Sequence, residues 1–164
     1  MCASSVEIER VFLRKKVPPI PPDAVAYTIQ QGYLPRTDEP GGGEGRLRKM
    51  TCPDGSVLFT HTVKKGTGMV RIRRERAIPR ETFQRAWSRT AGRRLTKRRY
   101  AIESAGHLWQ IDVFDDLDVV LAEVELPSPV TPLKLPDWLA PQVIREVTEE
   151  PVYRNYNLAR ELAR

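Results

Sequence analysis

Charged side chains recur two residues apart along one strand phase after another in this chain, and that repetition restricts the fold more than any other feature. In the stretch VEIERVFL, Glu7, Glu9 and Val11 point one way and Ile8, Arg10 and Phe12 the other, because successive side chains of a strand alternate. Arg46 and Arg48 flank Leu47, and Arg71, Arg73 and Glu75 keep the same period. So do Lys97 with Arg99 and Glu123 with Glu125, while Lys64 and Asp112 fit singly. Taken alone, each pair describes the solvated face of an antiparallel strand. Repetition weakens that account. If the opposite phase, with Ile8, Phe12, Leu47, Val63, Ile72, Ile111, Val113 and Val124, packs beneath helices, the charged phase lines open solvent or the inside of a closed barrel.

The punctuation agrees with a sheet-rich chain. The Asp-Gly of CPDG separates two strand candidates, RLRKMTC and SVLFTHTVKK, and supplies the positive φ angles of a tight hairpin. LTKRRYAIES, HLWQIDVF and DVVLAEVELP follow one another across turns of hairpin length. PRETFQRAWSRTAGRR carries proline near its start, glycine near its end and apolar residues at helical spacing, so it predicts a helix. PDWLAPQVIREV and YRNYNLARELAR also show three-and-four spacing and predict a helical end, with a C-terminal helix over about residues 152–164. The expectation is a single domain over residues 1–164, of α+β class, with about eight mostly antiparallel strands that can close into a barrel flanked by helices. The glycine-rich GGGEG lacks the lysine and following helix of a phosphate loop and is expected to be a mobile loop near the barrel entrance.

Composition removes several function classes. No apolar run approaches the roughly 20 residues that span a bilayer, and MCASSVEIER lacks the layout of a signal peptide, so the expected compartment is cytoplasmic and no membrane partner is expected. With two cysteines and two histidines, His61 and His107, neither a zinc spacing nor a disulfide framework can be assembled. The formal net charge of +6 calls for an anionic partner. Nucleic acid ranks last, although RIRRER and GRRLTKRRY are rich in arginine, because the interleaved carboxylates would repel phosphate in the absence of metal. A lumen holding both signs is best complemented by polyphosphate with divalent cations. Guanidinium forks and ammonium groups take phosphate oxygens, and clustered carboxylates suit magnesium or manganese.

At this point the chain resembles the triphosphate tunnel metalloenzymes, the CYTH group. EIERV at residues 7–11 is similar to the opening glutamate-x-glutamate-x-lysine motif. GYLP at 32–35, RLR at 46–48, TVK ending at Lys64, LTKRRY, WQIDVF, AEVEL and REVTEEPVYRNYNLA follow in the family's order. The resemblance implies an eight-stranded tunnel with metal on one wall and triphosphate on the other. Carried over by position, the metal-side residues are Glu7, Glu9, Glu75, Asp112, Glu123 and Glu125. The phosphate-side residues are Arg46, Arg48, Lys64, Arg71, Lys97 and Arg99. The implied activity is hydrolysis of inorganic triphosphate or a related small triphosphate with Mg2+ or Mn2+, by a monomer or homodimer, with Glu7, Glu9 and Arg73 as catalytic residues. Two departures stand out. Val11 occupies the motif lysine's position, and Arg73 that of the first glutamate of an arginine-x-glutamate-x-glutamate segment. Either Arg73 or Arg71 supplies the missing charge, or the chain binds triphosphate with little or no turnover.

Overall fold

The computed structural model describes residues 4–15 and 20–162. Nine strands, β1 (Ser4–Arg14), β2 (Val25–Tyr33), β3 (Glu44–Thr51), β4 (Val57–Lys65), β5 (Val70–Ala77), β6 (Arg94–Ser104), β7 (His107–Phe114), β8 (Val120–Glu125) and β9 (Val143–Glu146), accompany two helices, α1 (Arg80–Trp87) and α2 (Asn155–Glu161). The sheet runs β5-β4-β3-β2-β6-β7-β8-β1-β9, and β5 also pairs with β1. Eight antiparallel strands therefore close on themselves, as the alternating charged phase predicted. Closure removes the sheet edges that an open eight-stranded sheet would expose.

β1 is the seam of the barrel. One edge pairs along residues 9–14 with β8. The other pairs with β5 over residues 4–8 and, beyond that, with β9 over 12–14. The ninth strand corrects one expectation from the sequence, because PDWLAPQVIREV does not form a helix. It makes a short 3-10 turn over Ala140–Gln142 and then β9. Pro141 cannot donate a helical hydrogen bond, and β-branched Val143 and Ile144 suit a strand. The end of β1 left open by β5 offers them a ladder, extended by the bonds from Val147 N–H to the Val11 carbonyl and from Lys15 N–H to the Gln142 carbonyl. The C-terminal helix begins later than expected, with a 3-10 turn over Pro151–Tyr153 preceding α2, and residues 163–164 of the expected helix lie outside the described residues.

Two apolar clusters lie outside the barrel. Ile8, Trp109, Ile111, Ala122 and Val124 project outward from their strands and are covered by Leu135, Trp138 and Leu139. Phe83 of α1 packs between Phe59 and Trp87 with ring centroids 4.9 Å from each. Ile72 departs from the expected pattern. It is 51% exposed on the outer face of β5, since neither α1 nor the C-terminal segment covers it. Gly32 of β2 is required by close approach, because a Cβ there would lie 2.6 Å from the Thr90 hydroxyl.

The third cluster is internal and positions the site. Val11 and Leu13, Leu95, Phe114 and Leu121 occupy the same strand phases as Glu9, Lys97, Asp112 and Glu123, but toward one end of the barrel, where Val147, Leu158 and Ala159 pack against them. The lumen wall thus changes from charged to apolar along its axis, and α2 sits on the apolar end. The charged part is a cup of about 260 Å³ rather than an open-ended pore.

Candidate active site

Strand alternation delivers all the charged pairs to this one cavity, whose wall includes Glu7, Glu9, Arg46, Arg48, Lys64, Arg71, Arg73, Glu75, Lys97, Arg99, Glu123 and Glu125. Asp112 stands directly behind that wall with no exposed surface. One carboxylate oxygen accepts from Arg99 Nε at 2.7 Å, and the other from Lys97 Nζ at 2.7 Å and Arg99 Nη2 at 2.8 Å. Burial works to raise its carboxyl, but the charges of Arg99 and Lys97 outweigh that and hold it below the ordinary aspartate range. Both oxygens are thus engaged, and the aspartate expected on the metal side stands here as a buried counter-ion of Lys97 and Arg99. It fixes Lys97 and Arg99 against the lumen. Burial, opposed by Asp112, presses the Lys97 ammonium down to about 7.

The other carboxylates fall into two groups. Glu7 accepts from Lys64 Nζ at 2.8 Å and from Arg73 Nη1 at 2.7 Å. Arg73 Nη2 also reaches Glu125 at 3.1 Å, so one guanidinium bridges two carboxylates from different strands. Burial acts to raise the Glu7 carboxyl, yet Lys64, Arg73 and Arg46 bring it below its ordinary value. Glu75 accepts from the Thr62 hydroxyl at 2.6 Å and lies 3.6 Å from Arg46. Glu9 differs from all of these. Burial first, then the charges of Glu123 and Glu7, push its carboxyl well above the ordinary range against the pull of Lys64. A proton between two crowded carboxylates marks a place that a cation can take.

This observation tests the fit of a divalent ion. Among the described residues no three carboxylate, imidazole or thiol side chains form a ready-made metal cage. Magnesium does not require one, because it is commonly held by one or two carboxylates, waters and substrate phosphate oxygens. Glu9 and Glu123 fit that description. Glu7 and Glu125, spanned by Arg73, fit it less well.

Opposite the acidic wall, Arg48 lies short of negative charge. Burial, Arg46 and Arg99 together bring its guanidinium down to about 9. Its Nε and Nη2 donate to Gln31 Oε1 at 3.2 and 3.0 Å, a neutral partner. Arg46 Nη2 donates to the Thr62 hydroxyl at 3.3 Å. Such crowding of cations is relieved by a bound oxyanion.

Val11 sits at the border between the two parts of the lumen. It packs against the apolar cluster, yet it also lines the charged cup and stands opposite Glu123 in the β1–β8 register. Its N–H donates to the Thr148 hydroxyl at 3.0 Å. Arg73 is held at Glu7 and Glu125, and Arg71 Nη2 donates to Glu44 at 2.9 Å, so each guanidinium is engaged with carboxylates of the cup.

Several lumen residues escaped the sequence reading. Glu44, the last acidic residue of GGGEG, is buried and pairs with Arg36, Arg71 and Arg154. Its place two residues before Arg46 carried the signal. Gln31 shares a phase with Tyr33 in the same way. Asn155, whose Oδ1 accepts from Lys97 at 2.8 Å and Gln31 at 3.2 Å, comes from α2 and had no strand phase to reveal it.

With the geometry in hand, comparison with known proteins is informative. No family model matches the chain. An inorganic triphosphatase of Nitrosomonas europaea is 35% identical over 158 residues, covering 93% of this chain and 96% of that protein. An inorganic triphosphatase of Acetivibrio thermocellus is 38% identical over 68 residues, and the match spans 40% of this chain and 41% of that relative. Among solved structures, a crystal structure of an inorganic triphosphatase superposes with a TM-score of 0.62 at 29% identity, covering 93% of this chain and 97% of that one. A protein from Pyrococcus horikoshii shares the fold at 15% identity and a TM-score of 0.52, covering 95% of this chain and 89% of that one. Nearly full-length identity above 30% and the closed charged barrel place this chain in the CYTH-like triphosphate tunnel family, among relatives of the short inorganic triphosphatases.

Proposed function

We propose that the chain hydrolyses inorganic triphosphate, or a related small molecule carrying a triphosphate, with a divalent metal, Mg2+ or Mn2+. The observation that carries this reading is the carboxyl pair Glu9–Glu123 in the same cavity as Arg48, whose guanidinium donates to the neutral Gln31. The full-length relative named an inorganic triphosphatase supports the choice of substrate.

Arg46, Arg48 and Lys97 would hold phosphate oxygens, Lys97 gaining its proton fully as the anion approaches. Glu9 and Glu123 would hold the metal, which supplies charge neutralisation at the phosphoryl group and a more acidic water when bound. Water adds its oxygen to the terminal phosphorus, the P–O–P bridge breaks, and orthophosphate and pyrophosphate leave. Glu7 positions Lys64 and Arg73 at the rim of the metal side. Purified protein with tripolyphosphate and Mg2+ or Mn2+ is expected to release orthophosphate, and chelation to stop it. Absence of release from tripolyphosphate, thiamine triphosphate and nucleoside triphosphates alike, with either metal, would defeat the reading.

A second reading is favoured by Val11, which leaves the motif lysine's position apolar. On that reading the cup binds triphosphate with little or no turnover, and calorimetry would show tight binding where the phosphate assay is silent.

The metal site has a pH signature. Glu9 in the folded protein keeps its proton above the pH at which the unfolded chain releases it. The metal-free protein therefore loses stability as pH rises from the ordinary carboxylate range, about 4.3, through the raised value. A metal must displace that proton. Mn2+ affinity is accordingly expected to rise as pH climbs from the ordinary carboxylate range through the raised Glu9 value, with proton uptake by the buffer during titration; pH-independent affinity without proton release would exclude Glu9 as a ligand.

A further inference from the structure

Outside the cup, at the end closed by α2, a second cavity is lined by Arg36, Arg93, Arg154 and Arg160, with Tyr156 among them and no carboxylate in its wall. Four guanidinium groups repel one another unless something holds them. Part of the holding is visible. Arg36 and Arg160 both lie over the Tyr156 ring, 5.0 and 5.6 Å from its centroid. Arg93 is anchored by donating to the carbonyls of Tyr33 at 3.0 Å and Arg89 at 2.7 Å. Glu44 reaches Arg36 and Arg154 only from the lumen side. Arg154 Nε is buried and, among the described residues, has no hydrogen-bond partner.

We propose that this arginine cavity is a second oxyanion site, which takes a phosphate group separately from the cup. Guanidinium forks match the paired oxygens of phosphate, and pre-anchoring by Tyr156 and by backbone carbonyls reduces the entropy lost on binding. Burial and the nearby Arg36 charge lower the Arg154 guanidinium, a strain that an anion would relieve. Arg154 and Tyr156 also line the cup, so these two side chains form the partition between the chambers. Orthophosphate released in the cup is one source of the anion, and only this choice of source rests on the hydrolysis proposed above. The far end of a polyphosphate longer than three units is another.

The test is calorimetric titration of the full chain with orthophosphate in the absence of divalent metal, followed by a linear polyphosphate of mixed length. Arg160→Ala and Arg93→Ala are each expected to weaken one orthophosphate binding event about tenfold or more, the cost of a lost charge-assisted contact, while Arg48→Gln leaves that event in place. Arg160 rests on the Tyr156 ring on the outer side of α2, so Arg160→Ala decides the matter if Arg93→Ala proves unstable. Turnover of tripolyphosphate is expected to be unchanged by Arg160→Ala. If long polyphosphate, but not orthophosphate, loses affinity in Arg160→Ala, the site exists and takes chain ends. Binding that responds to Arg48→Gln and not to Arg160→Ala would put the anion in the cup and overturn the inference, as would the absence of any binding at millimolar phosphate. Failure of hydrolysis alone, with the Arg160-sensitive event intact, would defeat the proposed activity and leave this site standing.

Discussion

Asp112→Ala is expected to lower folding stability by about 3–5 kcal/mol, the usual cost of removing one member of a buried ion pair. The aspartate has no exposed surface and accepts from two cations at once. Without it Lys97, already pressed down to about 7, would give up its proton, whereas Arg99 would remain charged with Glu123 Oε2, at 3.2 Å, as its remaining carboxylate partner among the described residues. Denaturant unfolding of the metal-free protein at neutral pH measures the effect. The sign of its pH dependence is fixed. Asp112 titrates below its unfolded value, so its contribution is present above about pH 3.9 and fades as pH falls through the lowered native value. The gap between wild type and variant should therefore narrow in acid. A side chain serving chiefly as a metal ligand would behave in the opposite way, since its removal would relieve repulsion in the metal-free protein. Stability unchanged or raised by Asp112→Ala would refute the counter-ion role.

Glu9→Gln should show the mirror image. Its carboxyl keeps its proton to a higher pH than an ordinary glutamate, and glutamine reproduces that neutral state beside Glu123. Stability should change little below the raised Glu9 value and improve relative to wild type as pH rises through it, where wild-type Glu9 would ionise beside Glu123 and Glu7. Activity should collapse. A bound metal contributes several kcal/mol to stabilising transition-state charge, so losing one of two carboxylate ligands is expected to cost on the order of 100-fold or more in turnover, with weakened Mn2+ binding measured directly. Full activity in Glu9→Gln would remove the Glu9–Glu123 pair from the metal site. Together the two substitutions separate the residues that hold the cup's shape from those proposed to hold a metal, a division that carboxylate chemistry alone does not provide.

That division marks how far the sequence could be read. The charged phase of each strand was legible, because alternation follows directly from backbone geometry and needs no partner: Glu7, Glu9, Arg46, Arg48, Lys64, Lys97, Arg99 and Glu123 all reach one cavity. The α1 helix was legible from its proline and its apolar spacing. β9 was not, since Val143 to Glu146 become a strand only when β1 offers an edge that β5 has left vacant. Nor was the division among the carboxylates. Asp112, Glu7 and Glu9 look alike as acids at lumen positions, and which of them is neutralised depends on Lys64, Arg73, Lys97 and Arg99 arriving from other strands. Val11 is the plainest case. By its sequence it is a missing cation, and in the fold it lines the cup opposite Glu123 while packing against the apolar cluster of Val147, Leu158 and Ala159. Local periodicity by itself determined which way each side chain faces, for that depends on neighbours two residues apart. Only the tertiary structure decided which charges meet, because burial and Coulomb energies depend on distances between strands far apart in the chain.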